Sequence, residues 1–327
     1  MIYIVNKQNG NGNEREFMIT TVTLNPCIDR TIKVENLTIG GHNRTNFSRV
    51  DLGGKGINVS IVVKQMGHAT CALTFNHTES GTYLCDKLED LGIEGSLVPT
   101  FGRLRENVKL YVLSTDEMTE INEEGTPVDK STLSRFLHRL DRLLERTKVL
   151  IISGSIPPGL PDTLYYDMIL QAKKQNIFTI LDAQGVPLRE GVKACPNLIK
   201  PNLYEMETLC GKKLENHEEI LAQMDNVIAQ GVGAICLSMG SEGAILKNGK
   251  GTWYTKGGEI DVKAVQGAGD SLVAGLAIGY SLGENEEGML KMGVAMAQGS
   301  LLREGTLLCT RKLFDELYPT IQVVKLK

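Results

Sequence analysis

Short runs of apolar and β-branched residues alternate with longer amphipathic stretches along most of the chain. The runs MITTVTL, CALTF, KVLIIS, IFTILD and AICLSM have the length and composition of buried strands. Between them, stretches such as INVSIVVKQMG and STLSRFLHRLDRLLERT place apolar residues at helical spacing, and several such stretches end at glycine. This alternation of strands and helices predicts a mostly parallel sheet with helices on both faces.

Residues 30–50 and 103–125 follow a different pattern, in which polar and apolar residues alternate with a period of two. This period is typical of strands with one buried face and one solvent-exposed face. We therefore predict that both segments form a small antiparallel sheet that projects from the main sheet and serves as a lid, a dimer contact or both. The last third of the chain is predicted to be helical, from the stretch GDSLVAGLAIGYSLG onward.

Composition and charge limit the classes of protein that the chain can represent. The 327 residues are 42% hydrophobic and 23% charged, which is typical of a soluble globular protein with one large α/β domain and an appendage. A formal net charge of −4 provides no overall basic field for nucleic acid or an anionic membrane. No apolar run approaches the ~20 residues of a membrane span. Residues 1–17 lack the pattern of a secretory signal, and we interpret them as an N-terminal extension of a cytoplasmic protein.

The cysteines and histidines give little support to a disulfide framework or a zinc site. None of the seven cysteines forms a CxxC pair, and the five histidines show neither HxxxH nor HExxH spacing. Most of the cysteines lie in apolar runs, so we expect buried free thiols in a reducing compartment.

The stretch VQGAGDSLVAG places small residues and an acid at the start of a predicted helix. A helix N-terminus leaves backbone N–H groups unpaired and carries a partial positive charge. Gly267, Ala268 and Gly269 would let an anion approach those groups closely. The neighbouring Asp270 could act as a base on a hydroxyl that attacks phosphorus, or it could only cap the helix.

A second glycine cluster, DLGGKGINVS, also precedes a predicted helix. Gly53 and Gly54 permit close approach of a ligand to the backbone. Lys55 supplies a cation, and Asn58 offers a donor and an acceptor on the first turn. The cluster matches neither the P-loop GxxxxGK[ST] nor the dinucleotide-binding GxGxxG. Two such clusters in one chain indicate two anionic or polyol ligands.

Eight motifs together resemble the ribokinase-like (PfkB) carbohydrate kinases. They occur in the order of that family: TLNPCID, GGKGINV, ENVKL, TEINEEG, SGSIPPGLP, IKPNLYE, LSMGSEGAI and GAGDS. The resemblance extends over about residues 18–320 and points to the branch that phosphorylates sugar phosphates, the 1-phosphofructokinases and tagatose-6-phosphate kinases. It implies one three-layer α/β/α kinase domain over residues 18–327, with a mostly parallel central sheet and lid strands from about 30–50 and 103–125.

The resemblance implies a role for each matching residue of the acceptor half. Asp270 matches the base that takes the proton from the sugar hydroxyl, and Asp29 matches a carboxylate that holds sugar hydroxyls. The anion hole for the transferred phosphoryl group corresponds to Gly267, Ala268 and Gly269. The sugar-binding loop corresponds to Gly53, Gly54, Lys55 and Asn58, and the residues near the phosphate of the substrate to Arg105, Asn107 and Ser155.

The resemblance also implies ATP and Mg²⁺. Lys200 and Asn202 would flank the nucleotide phosphates, and Asn202 and Glu205 would organise Mg²⁺ through water, since this ion tends to keep its hydration shell. The nucleotide loop corresponds to Ser238, Gly240 and Gly243.

The sequence leaves structural alternatives open for several of these residues. Arg103 rather than Arg105 could bind the phosphate, or both could be surface charges. Asp29 could be a solvated residue after a proline turn, and Glu205 could lie on a wet helix face.

The chain also departs from the family pattern at four places. Val265 replaces a hydroxyl-bearing residue before GAGD, Ala183 and Gln184 replace Thr-Ser in the element after a central strand, and Leu104 precedes Arg105 where the family has threonine. The glycine-rich hinge expected near residues 74–80 has the sequence TFNHTES instead. These departures leave the base and the anion hole in place.

The resemblance therefore implies an ATP-dependent kinase of a ketose phosphate. The first expectation is the conversion of fructose 1-phosphate to fructose 1,6-bisphosphate, because the chain has TEIN where tagatose-6-phosphate kinases tend to have TEIL. A tagatose-6-phosphate kinase, a kinase of an unphosphorylated sugar, and a sugar-phosphate sensor with weak catalysis remain alternatives. A homodimer through the small sheet is also expected.

Overall fold

The computed structural model describes residues 18–326, so the predicted N-terminal extension at residues 1–17 lies outside the described residues. The strands are Met18–Thr23 (β1), Cys27–Val34 (β2), Phe47–Gly53 (β3), Thr70–His77 (β4), Glu94–Thr100 (β5), Arg105–Val112 (β6), Glu117–Asn122 (β7), Thr147–Ser153 (β8), Phe178–Asp182 (β9), Leu198–Ile199 (β10), Ala234–Ser238 (β11), Ala244–Asn248 (β12), Gly251–Thr255 (β13) and Val324–Leu326 (β14). The helices are Lys55–Gln65 (α1), Tyr83–Asp90 (α2), Lys130–Leu144 (α3), Leu164–Lys174 (α4), Gly185–Val192 (α5), Leu203–Cys210 (α6), His217–Ala229 (α7), Ala268–Leu282 (α8), Glu286–Leu301 (α9) and Arg311–Leu317 (α10).

A ten-stranded main sheet has the strand order β14-β13-β12-β11-β10-β9-β8-β1-β4-β5. All neighbours from β11 to β5 pair in parallel, which confirms the predicted mostly parallel sheet. The strands β12, β13 and β14 extend it with antiparallel pairs. From Gly269 onward the chain forms α8, α9 and α10, as predicted, and the short β14 near its end is the exception. The hairpin of β12 and β13 lies before that stretch and was not predicted, and its two-residue loop is Gly249–Lys250.

Helices cover both faces of the main sheet, as the alternating pattern predicts. On one face, apolar residues of α3 to α7 pack against the strands, with Phe136 and Tyr165 among the largest fully buried side chains. On the other face, α1, α8, α9 and α10 bury a second cluster that includes Val62, Leu276 and Phe314. Because α8 is packed into this cluster, its first turn is fixed at the carboxyl ends of the parallel strands.

The small sheet consists of four strands in the order β3-β2-β6-β7, and its presence beside the main sheet confirms the predicted fold class. Its outer pairs, β2–β3 and β6–β7, are antiparallel, and its middle pair β2–β6 is parallel. The register aligns Asp29 with Asp51 on one side and with Asn107 on the other. Since side chains alternate along a strand, Asn107 and Lys109 lie on the same face as Asp29.

All seven cysteines are free, as predicted, and Cys27, Cys71, Cys236 and Cys309 are buried. Cys85 is exposed, in contrast to the expectation of a buried thiol. Residues 18–326 contain no group of three or more histidine, cysteine or acidic side chains arranged to hold a metal ion. Within the same residues, no helix has the length and apolar character needed to cross a membrane.

Candidate active site

Asp270 lies in the first turn of α8, where it is buried beside the second glycine cluster. Its Oδ2 accepts a hydrogen bond from Asn58 Nδ2 of α1 at 2.8 Å. The residue that caps α8 is Gly267, and Asp270 makes no capping bond. The alternative in which Asp270 only caps the helix is therefore wrong, and the bond to Asn58 joins the two glycine clusters that the sequence singles out.

The carboxyl group of Asp270 holds its proton more tightly than an exposed aspartate. Burial raises its pKa to about 6, and the negative charge of Asp182 adds to the rise. Lys55, Lys200 and the bond from Asn58 act in the opposite direction. A carboxylate with a pKa near the working pH is suited to accept a proton during a reaction.

Two lysines converge on one buried aspartate behind Asp270. Asp182, the last residue of β9, is completely buried, and its Oδ1 lies 3.3 Å from Lys55 Nζ and 3.2 Å from Lys200 Nζ. The two lysines outweigh the effect of burial, so the pKa of Asp182 lies below its usual value. Attraction by Asp182, Asp270 and Glu205 outweighs the burial of Lys55 and raises the pKa of its ammonium group.

A cavity of about 410 Å³ opens between the small sheet and the start of α8, and we call it the small-sheet cavity. Seven of the eight residues predicted to bind the acceptor line it: Asp29, Gly54, Lys55, Asn58, Arg105, Asn107 and Ser155. The eighth, Gly53, lies directly behind Asp29, since a Cβ atom at this position would be 2.4 Å from Asp29 Oδ2. The cavity also includes Gly267 and Asp270, so the structure brings the two motifs together.

Asp29 is held in a buried network on the inner face of the small sheet. Lys109 Nζ lies 3.3 Å from its Oδ2, and Asn107 Nδ2 donates to its Oδ1 at 3.1 Å. All three side chains are buried and line the small-sheet cavity. The alternative of a solvated Asp29 is therefore wrong, and the lysine is a site residue that the sequence interpretation missed.

The two candidate arginines have different surroundings. Arg105 lines the small-sheet cavity and donates to Asn107 Oδ1 at 3.1 Å and to the carbonyl oxygen of Asn25 at 3.2 Å. Arg103 makes a two-pronged ion pair with Glu123 at 2.9 and 2.7 Å, does not line this cavity, and has an exposed side chain. Geometry thus favours Arg105 over Arg103 as the residue that can reach a ligand in the cavity.

Side-chain contacts attach the small sheet to the segment before α8 and to the segment between α9 and α10. Gln266 Nε2 donates to Glu120 Oε1 of β7 at 3.1 Å, and Arg49 of β3 donates to Thr306 Oγ1 at 3.1 Å. Glu120, Gln266 and Thr306 line the small-sheet cavity. The small sheet therefore covers this cavity and is fastened on the side of the GAGD motif.

A second cavity of about 750 Å³ lies on the other side of Asp270, and we call it the glycine-lined cavity. It contains every residue predicted to bind the nucleotide or the metal: Lys200, Asn202, Glu205, Ser238, Gly240 and Gly243. It also contains Gly267, Ala268 and Gly269 of the predicted anion hole. Lys55, Gly267 and Asp270 line both cavities, so these three residues mark the place where the cavities meet.

Asn202 and Glu205 form a capping box at the start of α6. Asn202 accepts from the backbone N–H of Glu205 at 2.8 Å, and Glu205 Oε2 accepts from the backbone N–H of Asn202 at 2.9 Å. Glu205 is buried, so the alternative of a wet helix face is wrong. The capping box fixes both side chains at the wall of the glycine-lined cavity.

Two of the residues that depart from the family pattern lie at the site. Val265 is 65% exposed and borders the glycine-lined cavity. Gln184 borders the small-sheet cavity, whereas Ala183 and Leu104 are buried in the core.

The structure adds two charged residues, Lys109 and Asp182, to the predicted set. The position of Lys109 two residues after Asn107 in an alternating strand is a signal that could have revealed it. Asp182 ends the apolar run IFTILD, and an acid at the carboxyl end of a parallel strand is also a recognisable signal.

A three-layer fold with a small sheet beside it, and two cavities that meet at a buried aspartate, form the arrangement that the resemblance to ribokinase-like kinases implies. The profile of the pfkB family carbohydrate kinases matches residues 22–313. This chain therefore belongs to the pfkB family of carbohydrate kinases, and it is an enzyme that transfers a phosphoryl group to an alcohol.

Curated relatives span nearly the whole chain. The 1-phosphofructokinase of Bacillus subtilis (strain 168) is 32% identical over 309 residues, which cover 94% of this chain and 100% of the relative. A tagatose-6-phosphate kinase of Staphylococcus epidermidis is 31% identical over 311 residues, again with 94% and 100% coverage.

Solved structures agree with the fold. The phosphofructokinase-2 of Escherichia coli in complex with potassium aligns with a TM-score of 0.88 at 24% identity, covering 93% of this chain and 99% of that chain. A putative phosphofructokinase of Staphylococcus aureus aligns with a TM-score of 0.80 at 26% identity, with 95% and 99% coverage.

Proposed function

We propose that this enzyme transfers the terminal phosphoryl group of ATP to a hydroxyl of a phosphorylated ketose, with Asp270 as the general base. The observation that carries the proposal is the position of Asp270 at the junction of the two cavities, buried and with a pKa raised to about 6 by that burial. A base at this position can reach an acceptor in one cavity while the donor occupies the other.

The charges of the small-sheet cavity support a phosphorylated acceptor. Arg105 offers a guanidinium group, whose planar fork matches a phosphate, and Ser155 offers a hydroxyl on the same cavity wall. Asp29, Asn58 and Asn107 offer acceptors and donors for sugar hydroxyls. A free sugar would leave the guanidinium of Arg105 without an anionic partner.

The glycine-lined cavity is the proposed ATP site. Its glycine-rich loop segments allow phosphates to approach backbone N–H groups, and Lys200 supplies a cation there. In this proposal, Ser238, Gly240 and Gly243 bind the nucleotide, and Gly267, Ala268 and Gly269 bind the transferred group.

Mg²⁺ fits the donor set at one place. Asn202 and Glu205 are fixed at the cavity wall, and one carboxylate oxygen of Glu205 is not used by the capping box. A single carboxylate suits Mg²⁺, which is usually held by one or two carboxylates together with water and substrate phosphates. Bound there, the ion would neutralise charge on the phosphates of the donor.

In the proposed reaction, Asn58, Asp270 and the small sheet each have a separate role. Asn58 holds Oδ2 of Asp270, which orients the carboxylate and leaves Oδ1 for the proton of the attacking hydroxyl. The new bond from the sugar oxygen to phosphorus forms as the bond from phosphorus to ADP breaks, and the sugar proton passes to Asp270. The small sheet excludes water, so that transfer to the sugar competes well with hydrolysis.

Fructose 1-phosphate, converted to fructose 1,6-bisphosphate, is the substrate we propose first. The relative from Bacillus subtilis named 1-phosphofructokinase and the TEIN sequence of β7 support it. The relative named tagatose-6-phosphate kinase supports tagatose 6-phosphate nearly as well. These two substrates share the same proposed chemistry at Asp270.

ADP release with Mg–ATP tests the proposal on fructose 1-phosphate, fructose 6-phosphate, tagatose 6-phosphate, fructose and ribose. We expect turnover on one phosphorylated ketose and none on the free sugars. Turnover on a free sugar alone would assign the enzyme to unphosphorylated substrates. Calorimetric binding of a sugar phosphate without turnover would instead identify a sensor.

We also propose a homodimer through the outer face of the small sheet. Val50, Arg30, Val108 and Ile121 are register partners across its four strands and lie opposite the cavity. On the two edge strands, Val50 is 39% and Ile121 60% exposed, so apolar surface is open to solvent on this face of the sheet. A second copy of the same sheet would cover this face.

Light scattering on the purified protein tests the dimer. We expect Ile121→Ser to shift the wild-type dimer toward monomer, while Leu91→Ser, a change of another exposed apolar residue outside the small sheet, leaves it dimeric. A monomeric wild-type protein would refute the proposal.

A further inference from the structure

Asp182 is a buried charge that the proposed reaction does not use directly. Its side chain has no exposed surface, and its Oδ1 contacts the ammonium groups of both Lys55 and Lys200. Within residues 18–326, its Oδ2 has no hydrogen-bond partner. A buried carboxylate with one unsatisfied oxygen is costly to the folded state, so its presence requires a reason other than stability.

The two lysines that Asp182 holds lie at the junction of the cavities. Lys55 begins α1 and lines both cavities, and Lys200 follows β10 and lines the glycine-lined cavity. A Cβ atom built at Gly269 would be 3.5 Å from Lys200 Nζ, so this ammonium group lies beside the GAGD loop. Both cations therefore lie on the route between a donor in one cavity and an acceptor in the other.

Charge balance explains why a shared aspartate is useful here. Two ammonium groups face Asp182 and the nearby Asp270, so the cluster is close to neutral when both carboxyl groups are ionised. Without Asp182, the two ammonium groups would repel each other and would have no shared acceptor to hold them at this position. With Asp182, both are fixed in place before a phosphoryl group arrives, which is the arrangement that stabilises developing negative charge at least cost.

We propose that Asp182 is a positioning residue that fixes Lys55 and Lys200 as a pair of cations beside the transferred phosphoryl group. The inference rests on the proposed function, and it assigns Lys55 to the phosphoryl group rather than to the sugar-binding loop alone. Asp182 touches neither substrate, and it acts through the two lysines and through its charge on Asp270.

The charges around Asp270 should also set the pH dependence of the reaction. The charged groups that act on Asp270 are Lys55 of α1, Asp182 of β9 and Lys200 after β10. The other charged residues of the small-sheet cavity, namely Asp29, Arg105, Lys109 and Glu120, belong to the small sheet. Since Asp270 must be ionised to accept a proton, kcat/KM should rise with pH through the pKa of Asp270.

Removal of a negative charge and removal of a positive charge near Asp270 should have opposite effects on the pH profile. The acidic limb of kcat/KM, where the rate rises with pH, should shift in opposite directions in the two variants. Asp182→Asn removes a negative charge beside Asp270, so its carboxylate is stabilised and the limb should move by about one unit toward lower pH. Lys55→Met removes a positive charge, so the limb should move by about one unit toward higher pH. A variant that only loosens the fold would not produce shifts of opposite sign.

The experiment measures ADP release against pH for wild type, Asp182→Asn, Lys55→Met, Lys200→Met and the double variant Asp182→Asn/Lys55→Met. We expect kcat of Asp182→Asn to fall about 100-fold, with the KM for the sugar phosphate changed less than about threefold. The double variant should be less impaired than the product of the single effects, because Asp182 acts through Lys55. Asp315→Asn, which removes an exposed aspartate paired with Arg311, is the matched control and should behave as wild type.

The inference is overturned if Asp182→Asn retains kcat within about threefold of wild type, or if its limb stays in place. Limbs that move in the same direction in Asp182→Asn and Lys55→Met would overturn it as well. If Asp182→Asn does not fold, Lys55→Met and Lys200→Met test the inference instead. The acidic limb of each of these variants must then move toward higher pH. The proposed function fails by a different result, namely that the wild-type enzyme phosphorylates none of the phosphorylated ketoses. In that case the same variants are compared with the acceptor that the enzyme does use, or by basal ATP hydrolysis.

Discussion

The small-sheet cavity and the glycine-lined cavity meet at Asp270, but polar side chains line the first, whereas backbone and apolar side chains line much of the second. Side chains define the small-sheet cavity: Asp29, Lys109 and Arg105 project into it from neighbouring strands and are held by hydrogen bonds and ion pairs with one another or with adjacent residues. Most of these contacts connect residues of the small sheet, so the cavity has a fixed set of charges before any ligand binds.

Backbone defines much of the glycine-lined cavity. Six glycines line it, together with aliphatic side chains: the glycines are Gly240, Gly243, Gly257, Gly258, Gly267 and Gly269. The aliphatic residues include Ile260, Val262, Leu272 and Val294. Here the recognition elements are N–H groups and apolar surface, which do not depend on the identity of any one side chain.

Because the two cavities are lined by different groups, different kinds of substitution should alter each half of the reaction. A charge change should alter the small-sheet cavity strongly and selectively, because its specificity resides in side chains. The glycine-lined cavity should tolerate many side-chain changes and be sensitive mainly to an added Cβ atom. Asp270 belongs to both cavities, so its loss should affect the whole reaction.

The largest effect is expected for Asp270→Asn. The amide preserves the shape of the side chain but cannot take a proton, so turnover should fall by roughly 10³-fold. ADP release measures the loss, and calorimetry should show that the sugar phosphate and ATP still bind. The exposed Glu316→Gln is the control, and near-normal turnover of Asp270→Asn would exclude Asp270 as the base.

Arg105→Met should produce the next largest effect and should be confined to the small-sheet cavity. Loss of a charged hydrogen bond to the phosphate should raise the KM for the phosphorylated ketose by about 10- to 100-fold and leave the KM for ATP unchanged. Arg103→Met is the matched control, because Arg103 is paired with Glu123 outside this cavity. A larger effect of Arg103→Met would reverse the assignment, and no effect of either would favour an unphosphorylated acceptor.

Gly243→Ala tests the glycine-lined cavity by adding a single Cβ atom. Gly243 has φ of 101°, and a Cβ atom there would be 2.0 Å from the carbonyl oxygen of Thr255. The loop must shift, so the KM for ATP should rise about tenfold while the KM for the sugar phosphate stays the same. At Gly240, where φ is 58° but the space is open, the same substitution should have a smaller effect. Equal effects at both positions would show that backbone strain rather than loop displacement matters.

The same contrast explains what the sequence could predict. The β/α alternation predicted the main sheet, and the motifs led to residues that the fold brings together around Asp270. Motif residues were accessible to prediction because glycine, lysine and aspartate before a helix carry a physical meaning without knowledge of the fold.

Other features depend on contacts between distant segments and were not predicted. Asp182 lies 127 positions from Lys55, and Lys109 lies 80 positions from Asp29, so no local pattern pairs them. The parallel pairing of β2 with β6 has the same cause, since alternation predicts strands but not their partners. Strand β14 has only three residues, too few for a periodic pattern to identify.

The smallest effect is expected for Val265→Thr, which restores the hydroxyl that related kinases carry before GAGD. Val265 is 65% exposed at the mouth of the glycine-lined cavity, where a hydroxyl would remain hydrated and gain little from a ligand. The KM for ATP should therefore change less than about threefold, and kcat should remain at the wild-type value. Val262→Thr, at another exposed position of the same cavity, serves as the control. A tenfold or greater gain in kcat/KM for ATP in Val265→Thr alone would mean that one side chain limits ATP binding, and it would contradict the view that the backbone recognises the nucleotide. Such a gain would also strengthen the alternative of a weakly catalytic sensor.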